Sequence, residues 1–158
     1  MPSLREEIKQ TRPFRSLAEE AYLNVVRTAE VLHHLVAEVF QGHGITPTQY
    51  NVLRILRGAG PAGLPCGAIG ERMINRDPDV TRLLDRLVAQ GLAERTRNED
   101  DRRVVVVTVT EAGRRLLAEL DPAVRAVHQR QLGHLDQAAL RALIRGLERA
   151  RERVTGAG

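Results

Sequence analysis

The side chains best placed to do chemistry in this 158-residue chain are arginines. Arg82 and Arg86 lie four apart, which puts them on one face of a helix. Arg97, Arg102 and Arg103 flank the acidic run Glu99-Asp100-Asp101, and Arg76 stands a few residues ahead of them all. A guanidinium is a planar fork of donors that fits a phosphate or the O6/N7 edge of guanine. That chemistry is recognition of duplex DNA, not catalysis. No Walker loop, nucleophile elbow or paired-carboxylate arrangement is present, so no catalytic residue is assigned and no enzyme is expected. His33 and His34 are adjacent and point to different sides of a helix, while His43, His128 and His134 stand apart. With one cysteine, no zinc-type cluster forms, and neither a metal nor a cofactor is expected.

These arginines need elements to aim them. Asp77-Pro78 reads as a helix start, with Asp77 as cap and Pro78 in the first turn. Val80, Leu83, Leu84, Leu87 and Val88 then form an apolar stripe at helical spacing. The opposite face carries Asp79, Thr81, Arg82, Asp85 and Arg86. Gly91 suits a left-handed C-cap. Leu92 to Arg97 reads as a strand, 98–101 as a turn, and Arg102 to Thr110 as a second strand with a Val/Thr run. Upstream, Ala68 to Ile74 reads as a short helix with Ile69, Met73 and Ile74 inward, and Leu64 to Gly67 as a possible third strand. A short helix pair followed by an arginine-tipped ribbon is a winged helix-turn-helix pattern.

Within it, Thr81 suits a phosphate or a thymine methyl, Arg82 and Arg86 the major groove, and Arg76 a phosphate. Asp79 fits support of the helix N-terminus better than acceptance from cytosine N4. Asp85 is expected to pair with Arg82 or Arg86. Arg95 and Arg97 alternate along the strand, and each can be read as a DNA contact or as plain surface. Seven arginines between 76 and 103 face seven carboxylates, so binding must rest on where the arginines point rather than on bulk charge.

Apolar stripes also run through both ends of the chain. Ser16-Leu17-Ala18-Glu19 is a capping box that opens a long helix. Thr46-Pro47-Thr48-Gln49 opens another, through Tyr50, Val52, Leu53, Ile55 and Leu56. Thr110 caps a helix bearing Leu116, Leu117 and Leu120, which Pro122 should kink or break. Asp136 caps a last helix with Leu140, Leu143, Ile144 and Leu147. These stripes exceed what a small winged helix can cover. They point to a homodimer with interleaved terminal helices; the alternative is a monomer whose ends fold back. The fold class is therefore mainly α with a small antiparallel β-wing. Residues 1–45 form an N-terminal arm and dimerisation helix, 46–110 the winged helix-turn-helix, and 111–158 the C-terminal dimerisation helices.

Composition fits this. Hydrophobic residues are 42% and charged ones 28%, as in ordinary globular chains. Aromatics at 3% argue for an aliphatic core and against a base-stacking single-strand binder. The net charge is +4, and Lys9 is the one lysine. A lone Cys66 rules out an internal disulfide and fits a reducing compartment. It reads as a small packed residue rather than an oxidant sensor. The N-terminus is polar and no apolar run can span a membrane, so a cytoplasmic location is expected.

The order of elements resembles the MarR family of bacterial winged-helix transcriptional regulators over nearly the whole chain. The residues that carry the likeness are the run Asp79 to Leu87, then Gly91-Leu92, the wing triplet Asp101-Arg102-Arg103, and Val109-Thr110-Glu111-Ala112-Gly113. The resemblance implies a dimer on a pseudo-palindromic double-stranded operator, usually a repressor, often released by a small phenolic or aromatic carboxylate ligand. It also implies that Asp101 orients Arg103 for the minor groove, with Arg102 at the tip. The family's ligand pocket lies between dimer helices and DNA module, where His33, Arg54 and Arg57 fall here. A different reading of the same fold is a protein–protein module without specific DNA, which has no need of these arginines.

Overall fold

The computed structural model describes residues 2–75, 79–97, 101 and 103–155, with side chains as far as 152. Arg76, the Asp77-Pro78 start, the turn at 98–100 and Arg102 lie outside the described residues. Helices dominate: α1 (Leu4–Glu7), α2 (Leu17–Val39), α3 (Pro47–Ala59), α4 (Cys66–Arg72), α5 (Val80–Ala89), α6 (Glu111–Leu132) and α7 (Gln137–Thr155). Among the described residues there are also a 3-10 turn (Gly60–Ala62) and three short strands: β1 (Leu64–Pro65), β2 (Ala93–Arg97) and β3 (Val105–Val109). They form one antiparallel sheet in the order β1-β3-β2. Leu64 lies opposite Val107, and Arg97 opposite Val105.

The helix starts follow from their capping residues. Ser16 accepts from the Glu19 N–H, and Thr46 and Gln49 cap each other's backbone reciprocally. Thr110 Oγ1 accepts from Gly113 N–H, and Asp136 Oδ1 from Ala139 N–H. At the far end of α5, Leu92 N–H bonds to Leu87 O and Gly91 N–H to Val88 O, with Gly91 at φ +70. This paired closure needs a left-handed residue, which is why glycine stands there. Thr110 Oγ1 donates to Gly91 O, and a Cβ on Gly113 would strike Leu92 O. The Thr-x-x-Gly motif is thus the seat on which α6 meets the α5–β2 turn.

The apolar spacing of α3, α5 and α6 is realised as one aliphatic core. Leu53, Leu56, Ile69, Leu84, Leu87, Leu117 and Leu120 are all at most 1% exposed. Each such side chain contributes roughly 1.5–3 kcal/mol by leaving water. The wing sheet closes the same core with Ala93, Val107 and Val109.

Several expectations need correction. α5 is capped by Asp79 and begins at Val80, so the helix starts two residues later than Asp77-Pro78 suggested. Ile74 is not inward: α4 ends at Arg72, Met73 is extended, and Ile74 is 83% exposed. Once the backbone leaves the helix, the helical spacing no longer predicts a side-chain direction. Pro122 does not break α6, which runs through it from Glu111 to Leu132. A proline removes one backbone hydrogen bond. Here Leu117, Leu120, Val124 and Val127, all buried on both sides of it, hold the helix in place.

The ends of the chain behave differently from its middle. α2 packs its C-terminal part near α6, where Gln131 Nε2 donates to Leu32 O at 2.7 Å. Yet α2 has no buried residue, and Tyr22, Val25 and Val26 are 66%, 48% and 47% exposed. In α7, Leu143 and Ile144 are likewise exposed. Among the described residues, then, these parts of the two stripes are left uncovered, while Val36 and Val39 of α2 pack against the core.

Candidate nucleic-acid interface

α5 turns its apolar face to the core and its polar face outward. Leu83, Leu84 and Leu87 are buried, whereas Thr81, Arg82 and Arg86 are exposed. Asp79 is occupied at the helix start: Oδ1 accepts from Arg82 N–H at 3.0 Å and Oδ2 lies 3.3 Å from Arg82 Nε. This is the helix-supporting role favoured by its position, and it also steadies Arg82, whose side chain stays 73% exposed. Thr81 Oγ1 sits 3.8 Å from Cys66 Sγ, so the lone thiol packs against the start of α5.

The wing stands beside this face. Arg97 is exposed at the end of β2. Asp101 accepts from the backbone N–H of Arg103 at 3.0 Å through Oδ1, and its carbonyl accepts from Val104 N–H at 2.9 Å. Asp101 therefore sets Arg103 through the main chain, in the manner of an Asx turn. The guanidinium is carried outward on a backbone already fixed.

Asp85 does not pair with Arg82 or Arg86. Its Oδ1 lies 2.6 Å from Arg95 Nη1, so it ties α5 to β2. Both groups are partly exposed, so the pair contributes at most about 1 kcal/mol, but it links helix and wing. Sequence spacing favours neighbours on one helix; here Asp79 already engages Arg82, and the strand brings Arg95 closer. Arg95 is thus spent on structure, which leaves Arg97 as the outward cation of β2.

Behind the DNA-facing surface, α3 and α6 line a cavity of about 320 Å³ with Tyr50, Arg54, Arg57, Asp121, Val124, Arg125 and His128. A second cavity of about 190 Å³ adjoins it, where His33 of α2 meets Arg54 beside Phe40, Ile74 and Val124. The expected trio is therefore split: Arg54 borders both spaces, Arg57 the larger and His33 the smaller. The exposed Ile74 gives the smaller space an apolar wall.

The sequence reading missed the group that organises the larger cavity. Tyr50 Oη donates to Asp121 Oδ1 at 2.6 Å, and Arg57 Nη1 donates to Asp121 Oδ2 at 2.7 Å. The Arg54 guanidinium lies 5.9 Å from the Tyr50 ring centroid, within cation–π range. Burial, then the Asp121 hydrogen bond and charge, push the Tyr50 hydroxyl up to about 12. Partial burial alone would raise the Asp121 carboxyl, but the Arg57 and Tyr50 hydrogen bonds outweigh it and hold it below its usual range. Tyr50, Arg54 and Arg57 recur at i, i+4, i+7 along α3, a spacing that could have marked a polar stripe among apolar residues. Nothing in the sequence pairs that stripe with Asp121.

Comparison with known proteins agrees with this geometry. A sequence model of the MarR family matches residues 43–104. The HTH-type transcriptional repressor MdtR of Bacillus subtilis is 34% identical over 100 residues, and the match spans 63% of each chain. A crystal structure of a MarR transcription factor from Planctomyces limnophilus is 44% identical, with a TM-score of 0.65 over 86% of this chain and 98% of that one. The fold is shared with Bordetella bronchiseptica BpsR, whose DNA binding is regulated by 6-hydroxynicotinic acid, at 23% identity and a TM-score of 0.76 over 89% and 99% of the two chains. An outward arginine-bearing helix, a wing fixed by Asp101 and a 44%-identical relative of known family together place this chain in the MarR family of winged helix-turn-helix transcriptional regulators.

Proposed function

We propose that this regulator works as a homodimer that binds a pseudo-palindromic double-stranded operator and represses transcription from it. Residues 46–110 read the DNA, and the terminal segments 1–45 and 111–158 pair two chains. The observation that carries this is the placement of Thr81, Arg82 and Arg86 outward on α5 next to a wing whose Arg103 backbone is held by Asp101. Arg82 and Arg86 enter the major groove, Arg103 the minor groove, and Arg97 and Thr81 meet the backbone. Arg76 and Arg102 are added to the DNA-contacting set from the sequence alone. A backbone fixed before binding leaves less freedom to lose when its arginine inserts into a narrow, negative groove. This is regulation rather than catalysis, in the cytoplasm; no helix among the described residues is long and apolar enough to cross a membrane.

The cavity supports control by a small aromatic carboxylate. Arg54 and Arg57 supply cations, His33 and His128 supply ring nitrogens, and Phe40, Ile74 and Val124 supply an apolar bed. BpsR, of the same fold, responds to such an acid. Binding to operator DNA should weaken steeply with salt, because each phosphate contact releases counterions. Affinity that stayed flat between low and moderate salt would contradict the proposed contacts. A panel of aromatic acids in a thermal-shift assay tests the cavity; no shift for any member would remove ligand control.

A further inference from the structure

Asp121 adds a polar tie between α3 and α6 beside the aliphatic core they share. Tyr50 and Arg57 belong to α3, and both reach across to the one carboxylate on α6. The inner face of α3 is built into the DNA-binding core through Val52, Leu53 and Leu56. Gln90, the C-cap of α5, donates through Nε2 to Gly44 O at 2.8 Å in the turn before α3, and its Oε1 lies 3.5 Å from Gln49 Nε2 in the first turn of α3. The start of α3 and the end of α5 are thus hydrogen-bonded neighbours.

The latch is also open to the cavity. Arg57 and Asp121 both line it, and their side chains are 37% and 25% exposed. The same wall carries Arg54 and Arg125, so the cations outnumber the one carboxylate. An acid entering this space meets Arg57 as its hydrogen-bonding fork, and meets Asp121 as a competitor of like charge. Two carboxylates cannot share one guanidinium face to face without repulsion.

We propose that an anionic ligand exchanges with Asp121 on Arg57: the ligand carboxylate takes the guanidinium, Asp121 keeps only the Tyr50 hydroxyl, and α3 loses its Arg57 tie to α6. This rests on the reading of the cavity as an acid-binding site and states how that site would act on the DNA-binding half. Asp121 is then a positioning residue whose loss helps the ligand and harms the coupling.

The test uses the full-length protein with 6-hydroxynicotinate and 4-hydroxybenzoate as probes, by titration calorimetry. Asp121→Asn removes the competing charge, so the probe should bind about fivefold tighter than to wild type. Arg57→Gln should weaken binding. A second readout needs no variant. The Asp121 carboxyl carbon, followed by NMR in wild type, should titrate at higher pH with probe bound, because Arg57 has left it. The charged or titratable groups facing it are Tyr50, Arg54 and Arg57 from α3 and Arg125 and His128 from α6. Should a probe bind wild type while Asp121→Asn binds it no more tightly and the carboxyl does not move, exchange is overturned and the cavity reading stands. Should neither acid bind wild type or the Asn variant, both fall together. If Asp121→Asn fails to fold, the wild-type carboxyl titration decides alone.

Discussion

The centre of this chain and its two ends use the same aliphatic residues to opposite effect. In α3, α5 and the first half of α6, the apolar stripes close on one another, and seven large side chains are almost wholly out of water. In α2 and α7, stripes of the same spacing leave Tyr22, Val25, Val26, Leu143 and Ile144 in contact with solvent. The difference teaches that helical spacing announces burial but not by what. The centre satisfies its stripes within one chain; the ends leave theirs exposed, as the proposed homodimer requires. Where α3 meets α6, the polar pair of bonds to Asp121 stands beside buried Leu120 and Val124.

That contrast can be broken most severely in the centre. Leu84→Ala empties space in a site with no exposure, and should cost about 2–5 kcal/mol of stability in denaturant unfolding. At the ends, the same chemistry should spare the fold and spoil the pairing. Ile144→Glu together with Leu143→Glu should turn a dimer into a monomer in light scattering at micromolar concentration, while the circular dichroism of the centre persists. An intact dimer in that double variant would mean that α7 pairs nothing.

A smaller effect separates reading from folding. Arg103→Ala should weaken operator affinity about tenfold, since a groove contact carries roughly 1–3 kcal/mol, with the melting temperature unchanged. Equal affinity at moderate salt would take Arg103 out of the interface.

The Tyr50–Asp121 pair answers to pH, and the two partners have opposite signs. The Tyr50 hydroxyl is raised to about 12, so the folded chain keeps this proton when the unfolded chain has lost it. Its contribution is whole below the ordinary tyrosine range near 10 and fades as pH climbs toward about 12. Asp121 is lowered, so its contribution is whole above the usual carboxylate range and is lost as acid protonates it in the fold. Tyr50→Phe should flatten the alkaline limb of a melting-temperature profile and shrink the acid limb, since Asp121 then keeps only its Arg57 partner. An unchanged alkaline limb would show that Tyr50 is not the group responsible.

Most of the fold was legible because local signals and tertiary packing agree. Thr46, Thr110 and Asp136 cap the helices their sequence suggests, and Gly91 closes α5 in the left-handed form it permits. The failures share one cause. The start of α5 was inferred from the Asp77-Pro78 cap signal, and the direction of Ile74 and the partner of Asp85 from spacing along one helix; each was settled by something such local signals cannot see. Asp79 competes for the cap, Met73 leaves the helix, and Arg95 arrives from a strand. Pro122 shows the converse: a local breaker is overruled where buried leucines and valines flank it. At the site, the outward set on α5 was legible from its stripe. The Tyr50–Asp121–Arg57 cluster was not, because its members are 64 and 71 residues apart.

The account stands on two reading surfaces joined by the uncovered ends of the chain. Selection of bound duplexes from a random pool tests this in one step. It should recover an inverted repeat whose half-sites are spaced by about one helical turn, roughly 10 bp. Recovery of a single half-site, or of no enriched sequence at low salt, would contradict it.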